Sequence, residues 1–169
     1  MENIRMICFD GNFELIKKLY LEGKINKEFV VNSYINNGYL NLFQISATAN
    51  HLELCKWLHE TFQITKEEAV VDENFAFEVA CVEGNLEIVK WLQETFAFTK
   101  EEVSHNNNYA LELAFYYDHF EIVYFLRDIY GFVKEDTNVF IDQIPEEDRE
   151  KLFECLTPVG SFTKGAIRF

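Results

Sequence analysis

The stretch Asn85–Leu92, NLEIVKWL, occurs almost unchanged at His51–Leu58, HLELCKWL, and again at His119–Leu126, HFEIVYFL. These copies lie 34 residues apart, and a fourth, NFELIKKL, begins at Asn12, 39 residues before His51. An apolar segment precedes each later copy: NLFQISATAN from Asn41, NFAFEVACVEG from Asn74 and NYALELAFYYD from Asn108. A third piece recurs downstream, TKEEAV at Thr65, TKEEVS at Thr99 and a shortened KED at Lys134. Self-similarity at a fixed period of this length marks a stacked repeat architecture, in which each unit buries its apolar face only against its neighbours.

Within a unit the apolar spacing is helical. Leu86, Val89, Leu92 and Phe96 share one face with Ile88 beside it, and the remainder is Glu, Lys and Gln. The preceding segment puts Ala76, Phe77, Ala80 and Cys81 on one side, where small side chains let a neighbouring helix approach closely. Gly84 separates the two helices, as Gly11 does in the first copy. Glu14, Glu53, Glu87 and Glu121 fall in the first turn of each second helix. A carboxylate there favours the positive end of the helix dipole by about 0.3–1 kcal/mol, which explains its recurrence without catalysis. Trp57, Trp91 and Phe125 recur at one position and are expected to fill the space between stacked units.

Helix, tight turn, helix and loop, with the pattern G-[NH]-x-E-[IL]-V-K-x-L, resembles the ankyrin-repeat family over about residues 1–141. The resemblance implies an all-α solenoid of four stacked helix-turn-helix units, at about 1–40, 41–73, 74–107 and 108–141, with a C-terminal capping helix and tail in 142–169. One departure has structural consequences. The family's Thr-Pro-Leu-His turn is replaced by NLFQ at Asn41, FAFE at Phe75 and YALE at Tyr109. Thr65-x-x-Glu68 and Thr99-x-x-Glu102 read instead as capping boxes, in which Thr and Glu satisfy each other's free backbone donors. A short helical turn is therefore predicted where other ankyrin proteins carry a β-hairpin tip. The segments KWLxETFxxTKEE and NNNYAL are also similar to the divergent ankyrin repeats encoded by giant DNA viruses of amoebae.

The end units are irregular, as caps of a solenoid are. Unit one has about five extra residues within Asn32–Tyr39, where Asn37-Gly38 is a type I′ hairpin signal. Unit four has Val133 in place of the capping Thr, so no extra turn is expected there. Pro145 followed by Glu146, Glu147 and Asp148 starts a helix, and Leu152, Phe153 and Leu156 form its apolar stripe. Val159–Phe169, weakly basic through Lys164 and Arg168, is either a frayed tail or an arm held by Phe162 and Phe169.

Composition narrows the function. The chain has 169 residues, a net charge of -14, 49% hydrophobic and 16% aromatic residues, far too apolar for a disordered acidic chain. Only 7 Gly and 2 Pro argue against an all-β domain. The acidic balance disfavours nucleic acid and anionic membranes as partners. No leader-like apolar stretch opens the chain and no run of 18 apolar residues occurs, so an intracellular, cytoplasmic protein is expected. Cys8, Cys55, Cys81 and Cys155 form no CxxC pair and read as reduced, buried thiols.

No phosphate-binding glycine loop, HExxH or GxSxG is present. His51, Cys55 and His59 are the best metal candidates, but i to i+8 spans about 12 Å along a helix, too far for one ion. Cys55 also takes the core position of Val89 and Val123. The pairs Glu67–Glu68 and Glu101–Glu102 lie in the polar recurring turn, a capping environment rather than an acid catalyst's pocket. The expectation is a non-enzymatic monomer without metal or cofactor.

The resemblance further implies a protein partner in the concave groove lined by first helices and tips. The matching positions are Phe9, Thr48, Val82, Glu83, Tyr116 and Tyr117 at the ends of first helices, with Phe75, Tyr109 and Asn41 at the tips. Tyr109, Tyr116 and Tyr117 are the preferred candidates, since aromatic side chains dominate binding hot spots. The competing reading packs Tyr116 or Phe75 under the C-terminal lid or a neighbouring tip. Glu60–Val103 holds 11 acidic and 3 basic residues. Facing the groove, that charge selects a basic peptide or a basic host protein; on the convex side it is only a solvated surface. Two alternatives accompany this reading. Ile144-Pro145-x-Glu147 and Leu152-Phe153-x-x-Leu156 resemble the opening of an F-box over 144–156, implying a ubiquitin-ligase adaptor, although Asp148 stands where an apolar residue is expected. A structural virion component is the other.

Overall fold

The second helix of each unit forms where the apolar stripe repeats. In a computed structural model describing residues 4–32 and 40–158, these helices are α2 (Phe13–Leu21), α5 (Leu52–Phe62), α8 (Leu86–Phe96) and α11 (Phe120–Tyr130). Their buried faces repeat: Leu54, Cys55, Leu58 and Phe62 in α5, then Ile88, Val89, Leu92 and Phe96 in α8. Each first-turn Glu except Glu121 also meets a Lys three residues on, at 3.3 Å for Glu14–Lys17 and 2.8 Å for Glu53–Lys56 and Glu87–Lys90. The hairpin signal at Asn37-Gly38 and the segment Val159–Phe169 lie outside the described residues.

The first helices are α1 (Ile4–Phe9), α4 (Leu42–Thr48), α7 (Val71–Val82) and α10 (His105–Tyr116). Each packs on its own second helix, and α1, α4, α7 and α10 stand side by side. The seam is built from small and aromatic residues, Ala76, Phe77, Ala80 and Cys81 in α7 and Ala110, Leu111, Ala114 and Phe115 in α10. Trp57 and Trp91 fill the gaps between second helices. Trp57 lies edge-on to Phe13 and Tyr20 of the preceding unit at 5.7 and 5.6 Å, and Trp91 to Phe43 and His59 at 6.2 and 6.0 Å.

The turn after each first helix places one residue in the left-handed region: Gly11, Asn50, Gly84 and Asp118. Glycine, Asn and Asp adopt that conformation at least cost. The turn after each later second helix repeats the device at Gln63, Ala97 and Gly131. Ala97, exposed at φ 49°, is the poorest choice of the three. Replacing it relieves a left-handed penalty of about 1–2 kcal/mol and adds a smaller unfolded-state entropy cost. Ala97→Gly is therefore expected to stabilise the chain by about 0.5–1 kcal/mol in urea denaturation. A loss of stability would mean that Ala97 is not held left-handed.

Short helical turns stand where the sequence predicted them, at α6 (Lys66–Ala69) and α9 (Lys100–Val103), each with a complete Thr–Glu capping box. Unit one has an equivalent, α3 (Lys27–Val31), capped by Asn26, which accepts from the Phe29 N–H at 2.9 Å. The expectation for unit four is corrected. Lys134–Val139 forms a 3-10 turn although Val133 has no capping oxygen. The carboxylate half of the box suffices: Asp136 accepts the Val133 N–H at 2.7 Å.

These turns also join the units. Lys27, Lys66 and Lys100 pair with Glu68, Glu102 and Asp136 of the following unit at 2.8, 2.7 and 2.7 Å. The same ammonium groups donate to the Gln63, Ala97 and Gly131 carbonyls. Each bridge is part-exposed, so each contributes about 1 kcal/mol or less. Asp72, Asn74, Asn107 and Asn108 are left-handed where α7 and α10 begin, and Asn108 Nδ2 donates to the Asp136 carbonyl at 2.8 Å. The Asp- and Asn-rich starts of these helices thus supply backbone freedom and cross-unit hydrogen bonds.

The array ends in a second 3-10 turn (Ile141–Gln143) and α12 (Glu146–Cys155), which packs on α11. Leu152 and Leu156 are buried, and Phe153 is half-buried beneath Lys134, whose Nζ lies 4.0 Å from the ring centroid.

Candidate protein-binding groove

On α10 the residues opposite the buried seam are Tyr109, Glu112, Leu113 and Tyr116, spaced i, i+3, i+4 and i+7 on one helix face. The same positions are Phe75, Glu78, Val79 and Val82 on α7, and Asn41, Gln44, Ile45 and Thr48 on α4. Exposure of these positions rises from the second unit to the fourth. Asn41, Gln44 and Ile45 are buried, the α7 set is half-buried, and Tyr109 and Tyr116 are 39% and 61% exposed. The face is therefore open at the third and fourth units and closed at the second.

The candidate residues sort accordingly. Tyr116 and Tyr117 are exposed and meet edge-on at 5.3 Å. Phe9 and Glu83 are exposed, while Phe75, Val82 and Thr48 are half-buried, the Thr48 hydroxyl donating to the Gln44 carbonyl at 2.9 Å. Asn41, placed at a tip by sequence, is instead buried. It caps α4 through a box with Gln44 and donates Nδ2 to the Val31 carbonyl at 3.1 Å. Tyr116 does not disappear beneath the lid; it borders a cleft of about 290 Å³ with Phe115, Asp118, Ile144, Pro145, Asp148 and Lys151. Glu112 and Leu113 were missed by sequence, although counting i+3 and i+4 from Tyr109 reaches both.

Backbone groups at the near end of the first helices are already engaged. His51 Nε2 donates to the Phe9 carbonyl at 2.8 Å, and Asn85 Nδ2 to the Ala47 and Thr48 carbonyls at 2.9 and 3.2 Å. Recurrent His and Asn at this position thus bind one unit to the next. His59 Nδ1 bonds the Ile64 carbonyl at 3.1 Å, so the His51–Cys55–His59 trio is occupied in packing. Burial pushes the Cys8 and Cys55 thiols up to about 12 and Cys81 well above its ordinary value, the condition of inert core thiols.

Charge is segregated. Helices α4, α7 and α10 contain no Lys or Arg. Every cation in residues 41–141 is engaged on a second helix or a capping turn: Lys56, Lys66, Lys90 and Lys100 with carboxylates, Arg127 with Asp128, and Lys134 over Phe153. Glu112 makes no ion pair among the described residues, and burial alone pushes its carboxyl upward.

A family model for ankyrin repeats, in three copies, matches residues 43–138. The chain belongs to the ankyrin-repeat family. No curated protein and no solved structure matches it. In this ankyrin-repeat protein the match covers the second, third and fourth units and ends within the 3-10 turn that replaces the last capping turn. Among the described residues, no helix is long and apolar enough to cross a membrane. Ankyrin repeats make the chain a protein-interaction module.

Proposed function

We propose that the chain is a non-enzymatic, monomeric module of four units, 1–40, 41–73, 74–107 and 108–141, closed by the cap at 142–169. It binds its partner along the groove of the third and fourth units. The observation that carries this reading is the solvent-exposed aromatic set Tyr109, Tyr116 and Tyr117 on one end of the helix array. Phe75, Val82 and Glu83 extend it onto α7, followed by half-buried Thr48 and, at the far end of the array, exposed Phe9. Exposed tyrosines supply large, amphipathic contact area with little conformational entropy to lose. The similarity of the repeat segments to viral ankyrin repeats favours a cytoplasmic host-cell protein as the partner. The adaptor alternative calls for Leu152 and Phe153 to be exposed, whereas Leu152 is buried and Phe153 half-buried.

Affinity capture from lysate of amoebal cells, with wild type compared with Tyr116→Ala/Tyr117→Ala, tests the reading. Both tyrosines are exposed, so the thermal midpoint is expected to stay put while a specific partner is lost. Retention of the same partners by the double variant would remove this face as the site.

A further inference from the structure

We propose that the Tyr109–Glu112–Tyr116 face of α10, together with the cleft beneath α12, binds a basic peptide segment of the partner through a lysine or arginine side chain. This rests on the groove reading and specifies its ligand. Glu112 lies one turn from Tyr109 and one turn from Tyr116 on the same face, where side chains three and four apart are neighbours. A lysine or arginine stem can lie along the tyrosine rings while its cation meets the carboxylate, combining an ion pair with cation–π attraction.

Three observations favour a cation over other ligands. First, α4, α7 and α10 contain no lysine or arginine, α7 and α10 carry carboxylates, and the cations of residues 41–141 are engaged elsewhere. The field along this face is therefore negative and attracts positive charge. Second, Glu112 is half-buried without a counter-charge, and burial pushes its carboxyl upward, so the free protein keeps an ionised group at a cost. Third, the adjoining cleft already uses the same chemistry internally. Lys151 Nζ lies 3.3 Å from Asp118 and 4.2 Å from the centroid of Phe120, an acid and an aromatic ring on one ammonium. Asp148 also lines that cleft, beside Tyr116.

The test selects a random twelve-residue peptide phage library on the full chain, then titrates a synthetic copy of an enriched peptide. Enriched peptides are expected to carry Lys or Arg next to apolar residues. Glu112→Gln and Tyr116→Ala are each expected to weaken binding about tenfold, and added NaCl to weaken wild-type binding more than that of Glu112→Gln. Glu112→Gln should leave the thermal midpoint unchanged or raised, so lost binding cannot be lost folding. Peptides without basic residues, weakened by Tyr116→Ala but not by Glu112→Gln, would overturn the cation proposal and leave the groove standing. Peptides indifferent to both variants would overturn both readings. No enriched peptide would overturn the proposal, leaving the groove to a folded surface. Tighter peptide binding by Lys164→Ala/Arg168→Ala would make the chain's own C-terminal segment the occupant and overturn a separate partner. A dimer abolished by Glu112→Gln would do the same in favour of a second copy.

Discussion

Gly84→Ala is expected to cost about 3 kcal/mol, roughly twice the cost of Gly131→Ala. Both glycines are left-handed, at φ 74° and 68°, and a Cβ at either incurs the conformational penalty of about 1–2 kcal/mol. Their surroundings differ. Around Gly131 nothing lies within 4 Å of the added carbon, whereas at Gly84 it would sit 2.6 and 2.7 Å from Cε1 and Nδ1 of the His119 ring. His119 opens the second helix of the following unit, so relief of the clash must part the third unit from the fourth or swing the ring away. Overpacking of this kind costs about 1–3 kcal/mol. Urea denaturation of the two single variants measures the difference. In a His119→Ala background the Gly84→Ala cost should fall to that of Gly131→Ala, which isolates the contact as the cause. Equal costs in the wild-type background would mean that the units are not seated this closely. Gly11 and His51 repeat the arrangement at the first junction.

That pairing explains part of what the sequence concealed. The G-[NH] dipeptide announces a turn, and the turn is there. The glycine's second role, leaving room for the next unit's histidine, involves a residue 35 positions away and has no local signature. Lysine in the recurring TKEE segment is similar. Its recurrence is plain, and its Thr and Glu neighbours read as caps. Its bond to a carboxylate 36 residues on could not be read from either unit alone. Val133 removes only one half of the capping box; the Asp136 carboxylate and Lys100 hold the turn without it. The groove followed the same rule. Tyr109, Tyr116 and Tyr117 were legible as positions in a repeated pattern, and all three are exposed. Asn41 occupies the position equivalent to Tyr109, yet it is buried, because exposure along the array depends on what covers each unit. Glu112 repeats as Glu78 and Gln44, a polar position on an amphipathic helix, and nothing within its own unit marks it as part of an exposed face.

Arg127→Ala is expected to release the C-terminal helix at a cost of about 3 kcal/mol. Arg127 is only 9% exposed although it carries a charge. Its Nη1 donates to the Cys155 and Thr157 carbonyls at 2.8 and 3.3 Å, satisfying acceptors at the C-terminal end of α12. Its Nε meets Asp128 at 2.6 Å, which holds the guanidinium in place, and its Cζ lies 5.1 Å from the centroid of the Tyr124 ring. Hydrogen bonds from a charged donor contribute about 1.5–3 kcal/mol each, and an alanine leaves both carbonyls without this partner. The consequence is local before it is global, since a terminal cap touches only the last unit. Thiol labelling reads it directly. Cys155, the last residue of the docked helix, is 6% exposed, whereas Cys8, Cys55 and Cys81 are fully buried in the solenoid. In wild type all four should react slowly with Ellman's reagent under native conditions. In Arg127→Ala one thiol should react quickly, and Cys155→Ser in that background should abolish the fast phase. The cap also contributes Pro145, Asp148 and Lys151 to the cleft beside Tyr116, so its release should weaken the groove at its open end. Unchanged labelling together with unchanged stability would show that α12 is held by Leu152 and Leu156 alone, with the arginine contributing nothing to its docking.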